Sequence, residues 1–242
     1  MKVIGIIPAR YNSSRFSGKP LVIIHGKTMI RRVYEQACKA LDIVYVATDD
    51  DRIKCEVVKF GGKVVMTSTN HQSGTDRCAE AVQIIQKIDN DNFDIVVNIQ
   101  GDEPFINPEQ IKMIVSCFEN QNTQIATLIK EIQAISEISN QNTPKVVVNK
   151  NLEAIYFSRS VIPFNRNKLN VAYYKHIGMY AYKINVLFEI TKLQPSSLEL
   201  SESLEQLRWL ENGYKIQTAI TNLDTISIDT KEDLEKAVKY RF

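Results

Sequence analysis

The chain has 242 residues, of which 44% are hydrophobic, and this is enough to bury one large core or two small ones. Its 30 basic and 28 acidic residues are spread along the chain, so it lacks the one-sided positive charge of a general nucleic-acid binder. The start of the chain has too short an apolar run for a signal peptide, and no later segment approaches the length of a bilayer span. We therefore expect a soluble, cytoplasmic protein with one domain over residues 1–242.

Short apolar strands and amphipathic helices alternate through the first hundred residues. β-Branched runs at Lys2–Pro8 and Ile43–Thr48 flank apolar residues at helical spacing, which indicates a βαβ unit. The same alternation predicts a helix near Arg52–Phe60, a strand at Lys63–Thr67, a helix near Thr75–Ile88 and a strand at Asp94–Gln100. Strands that are apolar on both faces, separated by such helices, are typical of an α/β fold with a largely parallel sheet.

The second half of the chain has a less regular pattern. Residues 145–149, 154–158, 175–184 and 215–220 have strand composition, and residues 201–213 predict one helix ended by Gly213. Thr230 can cap a last helix, with Asp233 as its partner. The cysteines have no CxxC spacing and fall where helices would bury a small apolar residue, so we expect reduced core thiols. They are Cys38, Cys55, Cys78 and Cys117.

A polar cluster follows each of the first four predicted strands: PARYNSSR, ATDDD, NHQSGTDR and QGDEP. Because ligands of parallel sheets bind beyond the carboxyl ends of the strands, we expect these clusters to converge on one edge. The first loop carries the cations Arg10, Arg15 and Lys19, with Ser13, Ser14 and Gly18 between them. Such cations and donors can surround a polyphosphate, although a solvated loop without a ligand is the alternative. The loop matches neither GxxxxGK[ST] nor GxGxxG, which argues against kinases and dehydrogenases.

Two acidic residues stand at strand-to-helix junctions where a magnesium ion could bind. Asp102 follows a strand that is almost wholly apolar, and Gly101 lets the chain turn there. Mg²⁺ prefers oxygen ligands and commonly pairs one or two carboxylates with substrate phosphates. Glu103 is an alternative ligand, and either acid could instead cap the next helix. Asp229 supplies a second carboxylate, for which a helix-capping role is about equally favoured.

The cluster NHQSGTDR places Ser73, Gly74, Thr75 and Arg77 at a helix start, where free backbone donors suit an anion or a base edge. Capping of the helix by Ser73 or Thr75 is the competing interpretation. His71 is expected to be a loop or capping residue, because no second His or Cys lies at ligand spacing.

Polar residues of the second half form a mixture that suits a small anion with several hydroxyls, since arginine can bind a carboxylate and the others can bind hydroxyls. Each is more often structural when taken singly. They are Arg159, Arg166, His176, Tyr180, Glu205 and Gln206.

Eight segments, in order over essentially the whole chain, resemble those of one family, the CMP-Kdo synthetases or 3-deoxy-manno-octulosonate cytidylyltransferases. They are IIPARYNSSRFSGKPL, VYVATDDDRI, NHQSGTDR, VVNIQGDEPFI, FSRSVIPFNR, HIGMYAY, LEQLRWLENG and IDTKEDLE. The resemblance implies a Rossmann-like nucleotidyltransferase fold, with a mostly parallel mixed sheet and helices on both faces, usually as a homodimer. It also implies an enzyme that joins CTP to 3-deoxy-D-manno-octulosonate (Kdo), releasing pyrophosphate, for lipopolysaccharide or a related surface glycan.

The resemblance also implies roles for individual residues. Arg10 and Lys19 are expected to bind the phosphates of CTP, with Ser13 and Arg15 in the same loop. The residues expected to contact the cytidine are Ala9, Ser73, Gly74 and Arg77. Asp102 and Asp229 are the implied ligands of Mg²⁺, and CTP is expected to carry a second Mg²⁺. Those for the sugar acid are Gln100, Arg166, His176, Tyr180, Glu205 and Gln206, with Arg159 as a neighbour.

Three segments depart from the usual family pattern. The chain has RFSGKP, IPFNR and GMYAYK where the family usually has RLPGKP, IPWDR and GIYGYR. Another 2-keto sugar acid, such as 8-amino-Kdo or a sialic acid, is therefore an alternative substrate. A nucleotide-binding relative without catalysis is the alternative from another class of protein.

Overall fold

The structure, a computed structural model, describes residues 1–12 and 16–239 and divides into two compact units. The first unit comprises Met1–Lys112 and Asp224–Phe242, and the second comprises Met113–Leu223. The α/β fold class is confirmed, whereas a single domain over residues 1–242 stays a prediction. Within the described residues, no helix is both long enough and apolar enough to cross a membrane.

The strands of the described chain are β1 (Val3–Ala9), β2 (Ile23–Ile24), β3 (Lys27–Thr28), β4 (Val44–Thr48), β5 (Val64–Met66), β6 (Ile95–Asn98), β7 (Ile125–Glu131), β8 (Lys145–Val148), β9 (Ala154–Ser158), β10 (Tyr174–Lys183) and β11 (Ile216–Ile220). The helices are α1 (Met29–Ala37), α2 (Asp51–Lys59), α3 (Gly74–Asp89), α4 (Pro108–Ser116), α5 (Ile135–Ile138), α6 (Ile184–Ile190), α7 (Ser197–Glu202), α8 (Gln206–Glu211) and α9 (Lys231–Lys239). Every strand and helix predicted before residue 100 forms, within a few residues of its expected bounds.

The first unit is built on a wholly parallel arrangement of β1, β4, β5 and β6. β4 and β6 pair with either side of β1, and β5 pairs with β4. The apolar side chains Ile4, Ile6 and Ile7 of β1 are completely buried, as expected of a strand that is covered on both faces. In the register, Ala9 is paired with Thr48 and Thr48 with Met66. The polar segments after these strands therefore start at one edge, as the sequence predicts.

The chain returns to the first unit at Asp224, and this last stretch packs into a small apolar cluster. The buried members of the cluster are Phe16, Ile24, Met29, Ile228 and Ala237. The predicted cap of α9 also forms: the Asp233 amide donates to Thr230 Oγ1 at 3.2 Å, and the Thr230 amide donates to Asp233 Oδ2 at 3.0 Å. Asp229 thus lies between a buried residue and a capped helix.

The second unit has a mainly antiparallel sheet. β10 pairs antiparallel with β7 and β8, β8 pairs antiparallel with β9, and β11 pairs in parallel with β7. The single helix predicted for residues 201–213 is wrong, because two helices, α7 and α8, occupy the region from Ser197 to Glu211. Ser203 has φ of 52°, a left-handed conformation that ends the hydrogen-bond ladder of α7. Gly213, also left-handed, follows α8 as predicted.

Two of the four cysteines contradict the prediction of core thiols. None of the four forms a disulfide within the described residues, and Cys78 is buried, but Cys38 and Cys55 are exposed. In α2 the completely buried residues Ile53 and Val57 define the inward face, and Cys55 lies two positions from each of them. Two helical positions correspond to about half a turn, so Cys55 points away from the core. Cys38 lies just beyond the last turn of α1.

Candidate active site

A cavity of about 620 Å³ opens in the first unit beyond the ends of the parallel strands. Three of the four polar clusters contribute to it. Its lining includes Ala9, Arg10, Lys19, Gly74, Gln100 and Asp102. Convergence of these segments follows from the parallel strands, whose carboxyl ends meet at one edge. Ser13 and Arg15, predicted for the same loop, lie outside the described residues.

A backbone hydrogen bond closes the loop after β1 directly before Lys19, which lines the cavity. The Gly18 amide donates to the Tyr11 carbonyl at 2.8 Å, and Gly18 has φ of 73°, a conformation that favours glycine. The Tyr11 ring stacks beneath the guanidinium of Arg52, 3.2 Å from the ring centroid. A 3₁₀ turn then spans Lys19–Leu21 and contains Pro20, so Lys19 leaves the loop in a fixed direction.

The ammonium of Lys19 lies between the two predicted metal-binding carboxylates. Its Nζ is 2.7 Å from Asp102 Oδ2 and 3.2 Å from Asp229 Oδ1. The backbone supports this meeting, because the Ile228 amide donates to the Asp102 carbonyl at 2.9 Å. Asp102 and Asp229, which are far apart in the sequence, are therefore brought together at the edge of the cavity.

The turn that carries Asp102 depends on a glycine. A Cβ at Gly101 would lie 2.8 Å from the carbonyl oxygen of Pro8, closer than real Cβ atoms approach a backbone atom. The next residue, Glu103, points into the interior and is 6% exposed, so it does not share the cavity with Asp102. Burial, with a smaller contribution from the Asp102 charge, raises the pKa of Glu103 to about 8. The geometry therefore favours Asp102 over Glu103 as an available carboxylate.

The residues predicted for the cytidine differ in where they point. Gly74 lines the cavity, whereas Ser73 caps α3, its Oγ accepting the Asp76 amide at 3.1 Å. The Arg77 side chain is completely buried and does not reach the cavity. Its guanidinium donates to Thr67 Oγ1 at 2.6 Å and to Asp49 Oδ2 at 2.7 Å.

The buried position of Arg77 follows from its place on α3, beside the buried Cys78. Its partner Asp49 is not among the residues predicted from the sequence. The segment ATDDD offered a signal, because a carboxylate directly after β4 faces the same edge as the start of α3. Arg77 thus contributes charge and rigidity behind the cavity.

Arg10 faces the cavity and is held by the backbone of the neighbouring loop. Its Nη2 donates to the carbonyl of His71. Burial and the nearby charge of Arg77 lower the pKa of Arg10, and Asp49 and Asp76 oppose this shift. A guanidinium remains charged in proteins, so Arg10 offers the cavity a cation that is partly withdrawn from water.

In the second unit, several of the residues predicted for the sugar acid lie in one buried polar cluster. His176 Nε2 is 3.0 Å from Thr127 Oγ1, and its ring lies 5.2 Å from that of Tyr180. Trp209 of α8 packs edge-on against Tyr180, and Gln206 lies one turn earlier on that helix. Burial, together with the charge of Glu205, raises the pKa of Tyr180. The cluster thus combines rigid rings with neutral hydrogen-bonding groups.

The two arginines predicted for the sugar acid have different environments. The Arg159 guanidinium donates to three backbone carbonyls, those of Glu202 at 2.7 Å, Gln141 at 3.0 Å and Ser203 at 3.4 Å. Three of its five N–H donors are therefore committed to the chain itself. Arg166, by contrast, is exposed. Gln100, which the sequence grouped with the sugar acid, lines the cavity of the first unit.

Comparison with known proteins gives a consistent assignment. The family model described as cytidylyltransferase matches residues 4–216. A 3-deoxy-manno-octulosonate cytidylyltransferase of Parabacteroides distasonis is 59% identical, with 99% of this chain and 98% of the relative covered. The enzyme of the same description from Bacteroides thetaiotaomicron is also 59% identical, with the same coverage of both chains.

Solved structures are similar over the same length. A CMP:2-keto-3-deoxy-manno-octonic acid synthetase complexed with CTP is 42% identical with a TM-score of 0.92, covering 99% of this chain and 98% of that one. A 4-diphosphocytidyl-2C-methyl-D-erythritol synthase from Anaerococcus prevotii, only 14% identical with a TM-score of 0.60, shares the fold; 99% of this chain and 98% of that one are covered. Matched from end to end by such relatives, the chain belongs to the cytidylyltransferase family, among its 3-deoxy-manno-octulosonate cytidylyltransferases.

Proposed function

We propose that this chain transfers the cytidylyl group of CTP to Kdo, giving CMP-Kdo and pyrophosphate. The observation that carries the proposal is the meeting of Asp102 and Asp229 at Lys19, at the edge of a cavity that Arg10 also lines. This arrangement suits phosphoryl chemistry, in which a protein mainly positions its substrates and stabilises charge. The full-length relatives named for this reaction support it.

The cations of the cavity account for the nucleotide half of the reaction. Arg10 offers a planar fork of donors to phosphate oxygens, and Lys19 offers a compact charge. In the proposed reaction the anomeric hydroxyl oxygen of Kdo bonds to the α-phosphorus of CTP and loses its proton. The bond from that phosphorus to the departing pyrophosphate breaks, and Arg10 and Lys19 stabilise the negative charge of the leaving group. No covalent intermediate with the protein is required.

The two carboxylates fit a magnesium ion. Both are oxygen donors, and the Lys19 ammonium at 2.7 and 3.2 Å from them is a cation in contact with both acids. We assign Asp102 and Asp229 as the protein ligands of one Mg²⁺, and a second Mg²⁺ would arrive with CTP. When bound, the metal supplies Lewis-acid activation of the attacking hydroxyl and charge neutralisation at the phosphate.

The buried cluster of the second unit supports recognition of the sugar acid. Gln206 is 4% exposed, and its Nε2 has no hydrogen-bond partner in the described part of the chain. A buried donor without a partner is costly, so a carboxylate or hydroxyl oxygen of the substrate would satisfy it. Burial lowers the pKa of His176 to about 3, so its imidazole is neutral and acts as a hydrogen-bonding group. The exposed Arg166 is the proposed partner of the carboxylate.

The finer family properties belong to the same proposal. A homodimer in the cytoplasm is expected from the resemblance of the sequence to its family. Light scattering of the purified protein would test the dimer, because a monomeric mass at the concentration used for the assay would contradict it. Cell fractionation would test the location.

A substrate screen tests the proposed activity. The purified chain is incubated with CTP and Mg²⁺ and with Kdo, 8-amino-Kdo or N-acetylneuraminate, and pyrophosphate release is followed. We expect Kdo to give the fastest release. Faster pyrophosphate release with another acid would reassign the substrate. Binding of CTP without pyrophosphate release with any of the acids would indicate a nucleotide-binding relative without catalytic activity.

A further inference from the structure

A carboxylate outside the cavity holds together the loop between β5 and α3. Glu80, on the second turn of α3, accepts hydrogen bonds from the Ser68 amide at 2.7 Å and from a ring nitrogen of His71 at 2.5 Å. Burial alone would raise the pKa of Glu80, but the hydrogen bonds from His71 and Ser68 outweigh it and hold that pKa below its ordinary value. One ionised side chain thus restrains the loop at both of these residues.

The restrained loop in turn contacts a cavity residue. The His71 carbonyl accepts a hydrogen bond from the guanidinium of Arg10, and the next residue, Gln72, lines the cavity beside Arg10. A continuous series of contacts therefore runs from the carboxylate of Glu80, through the ring and backbone of His71, to the guanidinium of Arg10. Glu80 itself does not line the cavity.

Arg10 needs such support because its surroundings disfavour its charge. It is partly buried, and the charge of Arg77 lies close enough to add to the effect of burial. A carbonyl held in place compensates by accepting a hydrogen bond from the guanidinium. It also limits the rotamers of a long side chain, whose ordering would otherwise oppose ligand binding.

We propose that Glu80 is a positioning residue for CTP, acting through His71 to hold the Arg10 guanidinium toward the cavity. The proposal rests on the proposed function of Arg10 as a phosphate ligand. It gives His71, which the sequence predicts to be a loop or capping residue, a role in nucleotide binding. Glu80 touches neither the substrate nor the reacting atoms.

The test compares Glu80→Ala with a matched variant on the same helix. Asp89→Asn also neutralises a carboxylate of α3, one that accepts the Tyr45 hydroxyl at 2.9 Å at the other end of the helix. We expect E80A to raise the KM and the Kd for CTP by about tenfold, while the KM for Kdo stays unchanged. His71→Ala should have the same effect, and D89N none. An E80A protein with the CTP affinity of D89N would overturn the proposal.

A double-mutant cycle shows whether Glu80 acts through Arg10. Arg10→Ala removes the group that Glu80 is proposed to hold, so adding E80A to R10A should change the Kd for CTP by less than about twofold. Full additivity of the two losses would overturn the proposal. If E80A does not fold, as judged by circular dichroism, H71A replaces it in the cycle.

Failure of this inference and failure of the proposed function are distinguishable. CTP binding that is unchanged in R10A would remove Arg10 from the nucleotide site and with it the basis of the inference. CTP binding that is weakened in R10A but unchanged in both E80A and H71A would overturn the role of Glu80 alone. Titration calorimetry with CTP supplies these results even if no sugar acid is turned over.

Discussion

The two units use polar residues in different ways. In the first unit, charged side chains follow parallel strands and meet one another, as Lys19 meets Asp102 and Asp229. In the second, a mainly antiparallel sheet buries neutral hydrogen-bonding groups, and the charge of Arg159 is directed to backbone carbonyls. Lys19, Asp102 and Asp229 thus bring charge to the edge of a cavity, whereas Arg159 uses its charge to hold the chain. Substitution of the carboxylate pair should therefore affect turnover, whereas substitutions in the second unit should affect affinity or stability.

The largest effect is expected at the carboxylate pair. Asp102→Asn keeps the shape of the side chain but removes its charge, so turnover should fall by about a hundredfold or more. Steady-state pyrophosphate release measures this effect, and the melting temperature shows whether the fold is intact. Asp42→Asn, which neutralises an exposed carboxylate of the same unit, is the control. Near-normal turnover of D102N would remove Asp102 from the mechanism.

A smaller and more selective effect is expected at Arg166. Arg166→Ala should raise the KM for the sugar acid by about tenfold, because an arginine–carboxylate pair is lost, and should leave the KM for CTP unchanged. Its melting temperature should equal that of the parent, since the side chain is exposed. Equal losses for CTP and the sugar acid would mean that the sugar site has been misplaced.

Arg159 offers the sharpest contrast with Arg166. Arg159→Ala leaves the carbonyls of Glu202, Gln141 and Ser203 without their donor, so the free energy of unfolding should fall by about 2 kcal/mol. Urea unfolding measures the change, with R166A as the matched control. If R159A were as stable as R166A and bound the sugar acid more weakly, Arg159 would act on the ligand and the contrast between the two arginines would fail.

The smallest effect concerns pH. Because the pKa of His176 is lowered from 6.5 to about 3, the unfolded chain binds one more proton than the folded chain between these values. Stability should therefore fall as pH decreases through this range. In His176→Gln the fall between about pH 7 and about pH 5.5 should be smaller by about 1 kcal/mol. Urea midpoints at both pH values test this, and an identical fall in both proteins would show that His176 titrates normally.

The first unit could be predicted well because its signals are local. Apolar runs locate the strands, and the parallel arrangement then brings Arg10, Lys19 and Asp102 to one edge. Even the approach of Asp229 could be anticipated, because a loosely held metal calls for a second acid. The capping box of α9 could also be predicted, since Thr230 and Asp233 have the required spacing.

The remaining features depend on three-dimensional neighbours that spacing does not reveal. Glu80 has the spacing of an ordinary helix-surface residue, and only the path of the loop from Ser68 to His71 gives it partners. Ser203 carries no local signal for its left-handed conformation, so the break between α7 and α8 could not be predicted. Likewise, nothing in the sequence around Arg159 distinguishes an arginine that binds a ligand from one that binds carbonyls.

The hydrogen bond from the Ile228 amide to the Asp102 carbonyl limits when the site can assemble. Asp229 is the last of the proposed site residues to be synthesised, and it reaches Asp102 only when the chain has come back to its first unit. A ribosome-bound or truncated chain that stops before Ile228 would contain Arg10, Lys19 and Asp102 without the second acid. Synthesis itself thereby delays the appearance of a complete carboxylate pair until Asp229 has been made.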